Sequence, residues 1–323
     1  MKLLNSISTL AAGLLLLSGQ ALAGQYKGFS MGANKANGDC KATADWKTDF
    51  QTIKGWGKGF NAVRLYACSD CDSKFPQAGY ISSPSLYSQR RKTALARAVP
   101  AAKATGMKLL VGVWATDDGH FGAEKAALLK AIKAHGTTWI AAISVGSEDL
   151  YRKDISPQKL ATQIYDVRGM VQQYNKNIKV GHTDTWTAWV DGRNDVVTKA
   201  CDLVITNGFP YWQGVAIKDA IRLKTFQNSF WSVKHHVNAV NSKAKVWIGE
   251  TGWPTAGANF QKAAATTASL KSYYNSVACY LWKQTDSSAF WFTAFDTPKA
   301  SVEVEKHFGL ADSNRKLKFP LTC

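Results

Sequence analysis

Eight apolar runs of strand length, separated by segments of helical period, constrain this chain more than any other feature of it. The runs cover 26–31, 61–67, 108–115, 140–146, 178–182, 202–206, 245–249 and 289–294. Helix-like stretches lie between them at 42–55, 86–104, 123–134, 157–174, 217–240 and 261–283, and Ser156-Pro157 supplies a cap followed by proline at the first helical position. Strands that alternate with helices pair in parallel through crossovers. Eight such units in 323 residues fit a closed (β/α)₈ TIM barrel of one domain better than an open sheet. The cluster Gly55-Trp56-Gly57-Lys58-Gly59 precedes a strand where a phosphate-binding loop would follow one, so it reads as the turn after a helix.

Met1-Lys2, an apolar stretch up to Leu17 and the ending Ala21-Leu22-Ala23 have the form of a secretory signal peptide, residues 1–23, which leaves a mature chain of 24–323. No later run has the roughly 18 apolar residues that a membrane span needs. A secreted soluble protein, extracellular or in a cell wall, is expected, with no membrane partner. Cys40, Cys68, Cys71, Cys201, Cys279 and Cys323 all follow the signal, and an even count in an oxidising compartment favours disulfides. On a barrel, Cys40, Cys68 and Cys71 fall at the end where strands finish, whereas Cys201 and Cys279 point to the opposite end. Three on one side cannot pair among themselves, so either Cys323 reaches that end or one cysteine stays a thiol. The formal charge is +17. The basic residues are spread through helix-like segments, which suits a solvated surface facing an anionic wall or matrix, and nucleic acid is not expected.

In barrels of this kind the chemistry gathers where strands end. Glu148 closes the fourth run and Glu250 the seventh. An ionised group at the tip of a buried run costs several kcal/mol unless it is paired, and period-2 alternation projects each of the two towards the barrel mouth. Tyr66, Trp114, Ser147, Trp186, Tyr211, Trp253 and Asp296 stand at other strand ends and are candidate substrate-binding residues. A structural ion pair accounts for one such acid more readily than for two in the same setting. Two facing carboxylates among rings that stack on sugars suit glycoside hydrolysis. With no His or Cys cluster and no HExxH, neither a metal nor a cofactor is expected. Trp247 is out of phase with Glu250 and is expected to pack beneath the helices.

The stretch from Trp247 to Gly257, WIGETGWPTAG, resembles the signature of glycoside hydrolase family 17, the β-1,3-glucanases. Val63-Arg64-Leu65-Tyr66, Val145 to Arg152, Phe209-Pro210-Tyr211-Trp212 and Glu305 to Leu310 agree with it. The likeness runs over nearly the whole mature chain and is nearest to secreted fungal members. It implies a metal-free retaining enzyme, with Glu148 as acid/base, Glu250 as nucleophile, and Tyr66 and Tyr211 lining the cleft. Retention implies carboxyl groups about 5–5.5 Å apart. Two departures stand out: Ser147 replaces the family's usual Asn, and the loop Phe295 to Lys299 is shorter than in plant members, which puts Asp296 in doubt as a subsite residue.

The expectation is therefore a monomeric enzyme acting on β-1,3-glucan, laminari-oligosaccharides or cell-wall polysaccharide by endo-type hydrolysis with transglycosylation. A partly buried site is expected to raise the pKa of Glu148. A dominant β-1,3-glucanosyltransferase activity, mixed-linkage glucan as substrate, and an inactive wall-binding barrel are the competing readings.

Overall fold

The structure is a computed structural model that describes residues 25–69 and 93–323. The signal peptide, Cys71 and the first part of the stretch 86–104 lie outside the described residues. Eight parallel strands close into a barrel in chain order: β1 (Lys27–Ser30), β2 (Ala62–Leu65), β3 (Lys108–Val113), β4 (Ile140–Ser147), β5 (Val180–Thr185), β6 (Leu203–Asn207), β7 (Lys245–Glu250) and β8 (Ala289–Trp291). The fifth strand runs later than its apolar residues suggest, so Asp184 lies within it.

The helices follow in order: α1 (Thr43–Gly55), α2 (Ala94–Thr105), α3 (Asp118–His135), α4 (Asp149–Arg152), α5 (Pro157–Gln172), α6 (Trp186–Trp189), α7 (Asp195–Ala200), α8 (Ile217–Arg222), α9 (Thr225–Val240), α10 (Thr267–Tyr273) and α11 (Cys279–Gln284). Local chemistry starts several of them. Asp117 accepts from the His120 amide at 2.7 Å at the head of α3, and Ser156 caps α5 with Pro157 at its first position. The stretch 217–240 is two helices, broken at Lys224, whose φ is +53°.

Alternation along the strands sorts the core into two parts. Val63, Leu109, Val111, Ile143, Val204 and Ile248 pack outward against the helices. Ala62, Leu110, Ala142, Leu203, Ile205 and Phe290 form a separate apolar cluster inside the barrel. Above this plug the lumen is polar, with Arg64, Ser144, Thr183, Asn207 and Glu250 all buried. Trp247 does not pack beneath the helices. It lies against the inner cluster, 5.5 Å from Tyr26 and 6.5 Å from Phe290 by ring centroids.

The cysteines divide otherwise than their even count suggests. Cys279 is bonded to Cys323, so the C-terminal tail closes on the start of α11, and Cys40 is also in a disulfide. Cys201 is a buried thiol. Cys68 is buried too, and its Sγ donates to the Gly112 carbonyl at 3.1 Å.

Candidate active site

Strict alternation does not deliver the two carboxylates. The pairing of β4 with β5 shifts between Ser144 and Ser147, and that of β6 with β7 shifts between Thr206 and Asn207. Each irregularity falls just before an acid. It lets Glu250 turn inward although Trp247, three residues earlier, also faces the lumen. Such local breaks re-aim side chains next to functional sites.

Glu148 sits one residue past β4 with φ +61°, a left-handed conformation rare for a side chain of its size. Neighbouring groups hold it there. Its amide donates to Thr183 O at 2.8 Å, and Asn207 Nδ2 donates to Oε1 at 2.8 Å. Arg152, one turn on, reaches Oε2 at 3.4 Å. Beneath the turn are three buried ionisable groups. His182 Nδ1 donates to Val145 O at 2.6 Å, and Nε2 lies 2.9 Å from Asp184, whose same oxygen accepts the Leu150 amide at 2.9 Å. Asp149 is 3.9 Å from His182 Nδ1. Burial alone would lower the His182 pKa, but Asp184 and Asp149 outweigh it and the net shift is upward. Burial raises the Asp149 pKa against the pull of His182 and Arg152. Gly146 has φ +74°, and a Cβ there would run into the Asp149 carboxylate, so this turn requires glycine.

Glu250 is buried on the last position of β7. Arg64, itself 1% exposed, donates to Oε1 at 2.6 Å and through its other terminal nitrogen to Ser147 Oγ at 2.9 Å. One guanidinium thus ties the residue before Glu148 to Glu250. The Tyr66 hydroxyl is buried beside Glu250 and Ser30, and its pKa is pushed well up by that burial and by the Glu250 charge. Burial pushes Glu250 to about 7, opposed by Arg64 and reinforced by Glu148. The deeper burial falls on Glu250, therefore, and the Glu148 side chain is 25% exposed.

Both acids line one cavity of about 360 Å³, walled by Tyr151, Trp186, Phe209, Trp212, Phe292 and Phe308. Among the candidates, Trp186 joins it directly, while Tyr66 and Ser147 reach it through Glu250 and Arg64. Tyr211 and Trp253 do not reach it. They are 1% and 0% exposed, meet edge to face with centroids 5.6 Å apart, and donate to Ala258 O and Ala264 O behind the cavity wall. Trp114 stands apart at the end of β3, stacked 5.7 Å from His120. Asp296 lines a neighbouring cavity and pairs with Lys318 at 2.7 Å, a structural contact that only partly counters burial, which raises its pKa.

Two members of the site were not singled out from sequence. Asn207 ends an apolar run as both acids do, a signal that attention to carboxylates passed over. Glu305 brings a third carboxylate into the cavity, where burial and the charge of Glu148 raise its pKa.

Acids at the ends of the fourth and seventh strands of a parallel barrel, inside an aromatic-walled cavity, are the arrangement of a carbohydrate-cleaving barrel enzyme. Residues 76–309 match the BtgE/BtgC glycoside hydrolase domain. A Schizosaccharomyces pombe protein named glucan 1,3-beta-glucosidase is 35% identical over 301 residues, 91% of this chain and 86% of that one. The crystal structure of a glycoside hydrolase family 17 beta-1,3-glucanosyltransferase from Rhizomucor miehei superposes with a TM-score of 0.73 at 32% identity, over 92% of this chain and 97% of that one. An active-site mutant of the Rhizomucor enzyme, in complex with laminaritriose, superposes at 0.74, with the same identity and coverage. The chain belongs to glycoside hydrolase family 17.

Proposed function

We propose that the protein is a secreted, retaining glycoside hydrolase that cleaves β-1,3-glucan internally and passes part of the product to a second glucan chain. The reading rests on one observation: Glu148 and Glu250 line a single cavity, with Arg64 spanning from Glu250 to the residue before Glu148. Glu148 donates its proton to the glycosidic oxygen as the bond to the anomeric carbon breaks. Glu250 attacks that carbon and forms a glycosyl ester. Arg64 occupies Oε1, so Oε2 is the attacking atom. Glu148 then takes the proton of the incoming hydroxyl, which belongs to water in hydrolysis or to a glucan in transfer. Trp186, Trp212 and Phe209 offer faces for sugar stacking. The activities named for the relatives, and the laminaritriose bound by one of them, support the choice of β-1,3-glucan. The signal-like residues 1–23 and the Cys279–Cys323 disulfide support export.

Laminari-oligosaccharides test the proposal. Proton NMR of the first-formed products should show the β anomer, with sugars both shorter and longer than the substrate, and the exported protein should begin at Gly24. A first-formed α anomer rules out retention. If nothing longer than the substrate ever accumulates, the transfer half falls and hydrolysis stands.

A further inference from the structure

The end of the barrel opposite the cleft holds a second concentration of charge. All eight strands are parallel and close into one ring, so their first residues share a face, and each helix that leads into a strand ends there too. Three strands begin with lysine, namely Lys27, Lys108 and Lys245, and Lys179 comes immediately before β5. The last turns of α1, α2, α3, α7 and α11 add Lys54, Lys103, Lys133, Lys199 and Lys283. The helix dipole favours a cation at a helix C-terminus. It gives no reason for lysine at strand starts.

Little opposes this charge locally. Asp202 is taken by Arg168 at 3.0 Å and Asp286 by Lys234 at 3.4 Å. None of the nine lysines enters an ion pair among the described residues. Three of them only cover backbone carbonyls, Lys54 on Thr105, Lys103 on His135 and Lys108 on Thr138. At the cleft end, by contrast, carboxylates are at hand and Arg64, Lys41, Arg152 and Lys318 face them, although Lys218, Lys224, Lys262 and Lys299, which lie off the far face, enter no ion pair among the described residues either. The basic residues look dispersed in the sequence because the loops of one face recur once per strand–helix unit.

We propose that this far face is a docking surface for an anionic polysaccharide of the polyuronate type, which holds the enzyme with its cleft turned away from the attachment. The nine cations without an ion pair are all lysines, flexible point charges suited to a diffuse polyanion, and the arginine of this face, Arg168, is engaged with Asp202 and offers no fork for bidentate phosphate recognition. Tyr174 is the one large exposed apolar side chain among the described loops of this face. That is too little for stacking a nucleic-acid strand or for burial in a lipid interface. The inference is independent of what the cleft cleaves.

Two quadruple variants of equal charge change decide it. Lys179, Lys199, Lys245 and Lys283 are changed to Glu on the far face, and Lys218, Lys224, Lys262 and Lys299, exposed elsewhere, are changed to Glu in the control. On immobilised polygalacturonate at low salt, the far-face variant should bind more than about 10-fold more weakly, with a shallower dependence on salt, and the control within about 3-fold of wild type. Unchanged turnover of a soluble laminari-oligosaccharide by the far-face variant shows that it is folded, and four Lys→Gln changes at the same positions should give an intermediate loss. Equal weakening in both quadruple variants would mean that net charge alone binds, and the docking face is overturned. No binding by the wild type, or tighter binding to single-stranded RNA or anionic vesicles at equal charge concentration, overturns the partner.

Discussion

Glu250 and Glu148 reach one cavity from opposite walls, and the walls are built on different principles. On the β7 side the acid is buried and gripped through its charge by Arg64, with Tyr66 packed beside it. On the β4 side the acid is partly exposed on a left-handed turn, which Asn207, Asp149, His182 and Asp184 hold in shape. The first arrangement controls an ionisation state. The second controls a position while leaving the carboxyl open to exchange protons with leaving group and acceptor. Arg64 favours the ionised form that a nucleophile needs, against a burial that opposes it, and the open turn leaves Glu148 free to exchange protons as an acid/base must.

The largest break in the comparison is Glu250→Gln, which removes the attacking oxygen. It should lower kcat on laminari-oligosaccharides by roughly 10³-fold or more while glucan binding persists, and turnover within 10-fold of wild type would remove Glu250 from the nucleophile's role. The same variant reports on the buried charge. The folded-state pKa of Glu250, about 7, lies above the ordinary 4.5, so the folded form holds its proton more tightly than the unfolded chain. That contribution to stability is complete below about 4.5 and is lost as pH rises through 7, on the order of 3 kcal/mol. Glutamine does not titrate. The Tm of the variant relative to wild type should therefore climb between those pH values and level off above them. A difference independent of pH would show that Glu250 ionises normally.

Arg64→Met probes the same wall more gently. The guanidinium lowers the Glu250 pKa, so its loss moves that pKa further up, and the ionised fraction at a fixed acidic pH falls. The acid limb of kcat/KM should shift to higher pH, with about a 10²-fold loss at the wild-type optimum. An unmoved limb would mean that Arg64 only positions Ser147.

How much of this was open to reading depends on what periodicity carries. Eight strands and two strand-end acids follow from apolar runs and their spacing, because burial selects residue type directly. The inward turn of Glu250 does not, since it comes from a register shift that leaves no mark in composition, and for the same reason Trp247 was expected outside the lumen it faces. Tyr211 and Trp253 are of the type that stacks on sugar, yet they support the cavity wall from behind. An aromatic at a strand end signals burial and binding alike, and only the loops' path separates the two. Asn207 is legible in principle as the end of an apolar run, but it carries no charge to mark it.

The smallest expected effect tests the other wall. Asp149→Asn keeps the shape of the side chain beside His182 but removes a charge that helps keep the imidazole protonated. His182 Nδ1 donates to Val145 O and Nε2 faces Asp184, so a ring that loses its proton retains only one of these donors. The turn that aims Glu148 should then loosen without losing its fold. A drop in kcat of about 5- to 20-fold is expected, with KM nearly unchanged, because the sugar's contacts stay in place while the proton donor is misaligned. The acid limb assigned to Glu250 should not move. If KM rises in step with the fall in kcat, the three buried groups shape the cavity instead of aiming Glu148, and the division into a wall that sets charge and a wall that sets position would have to be given up.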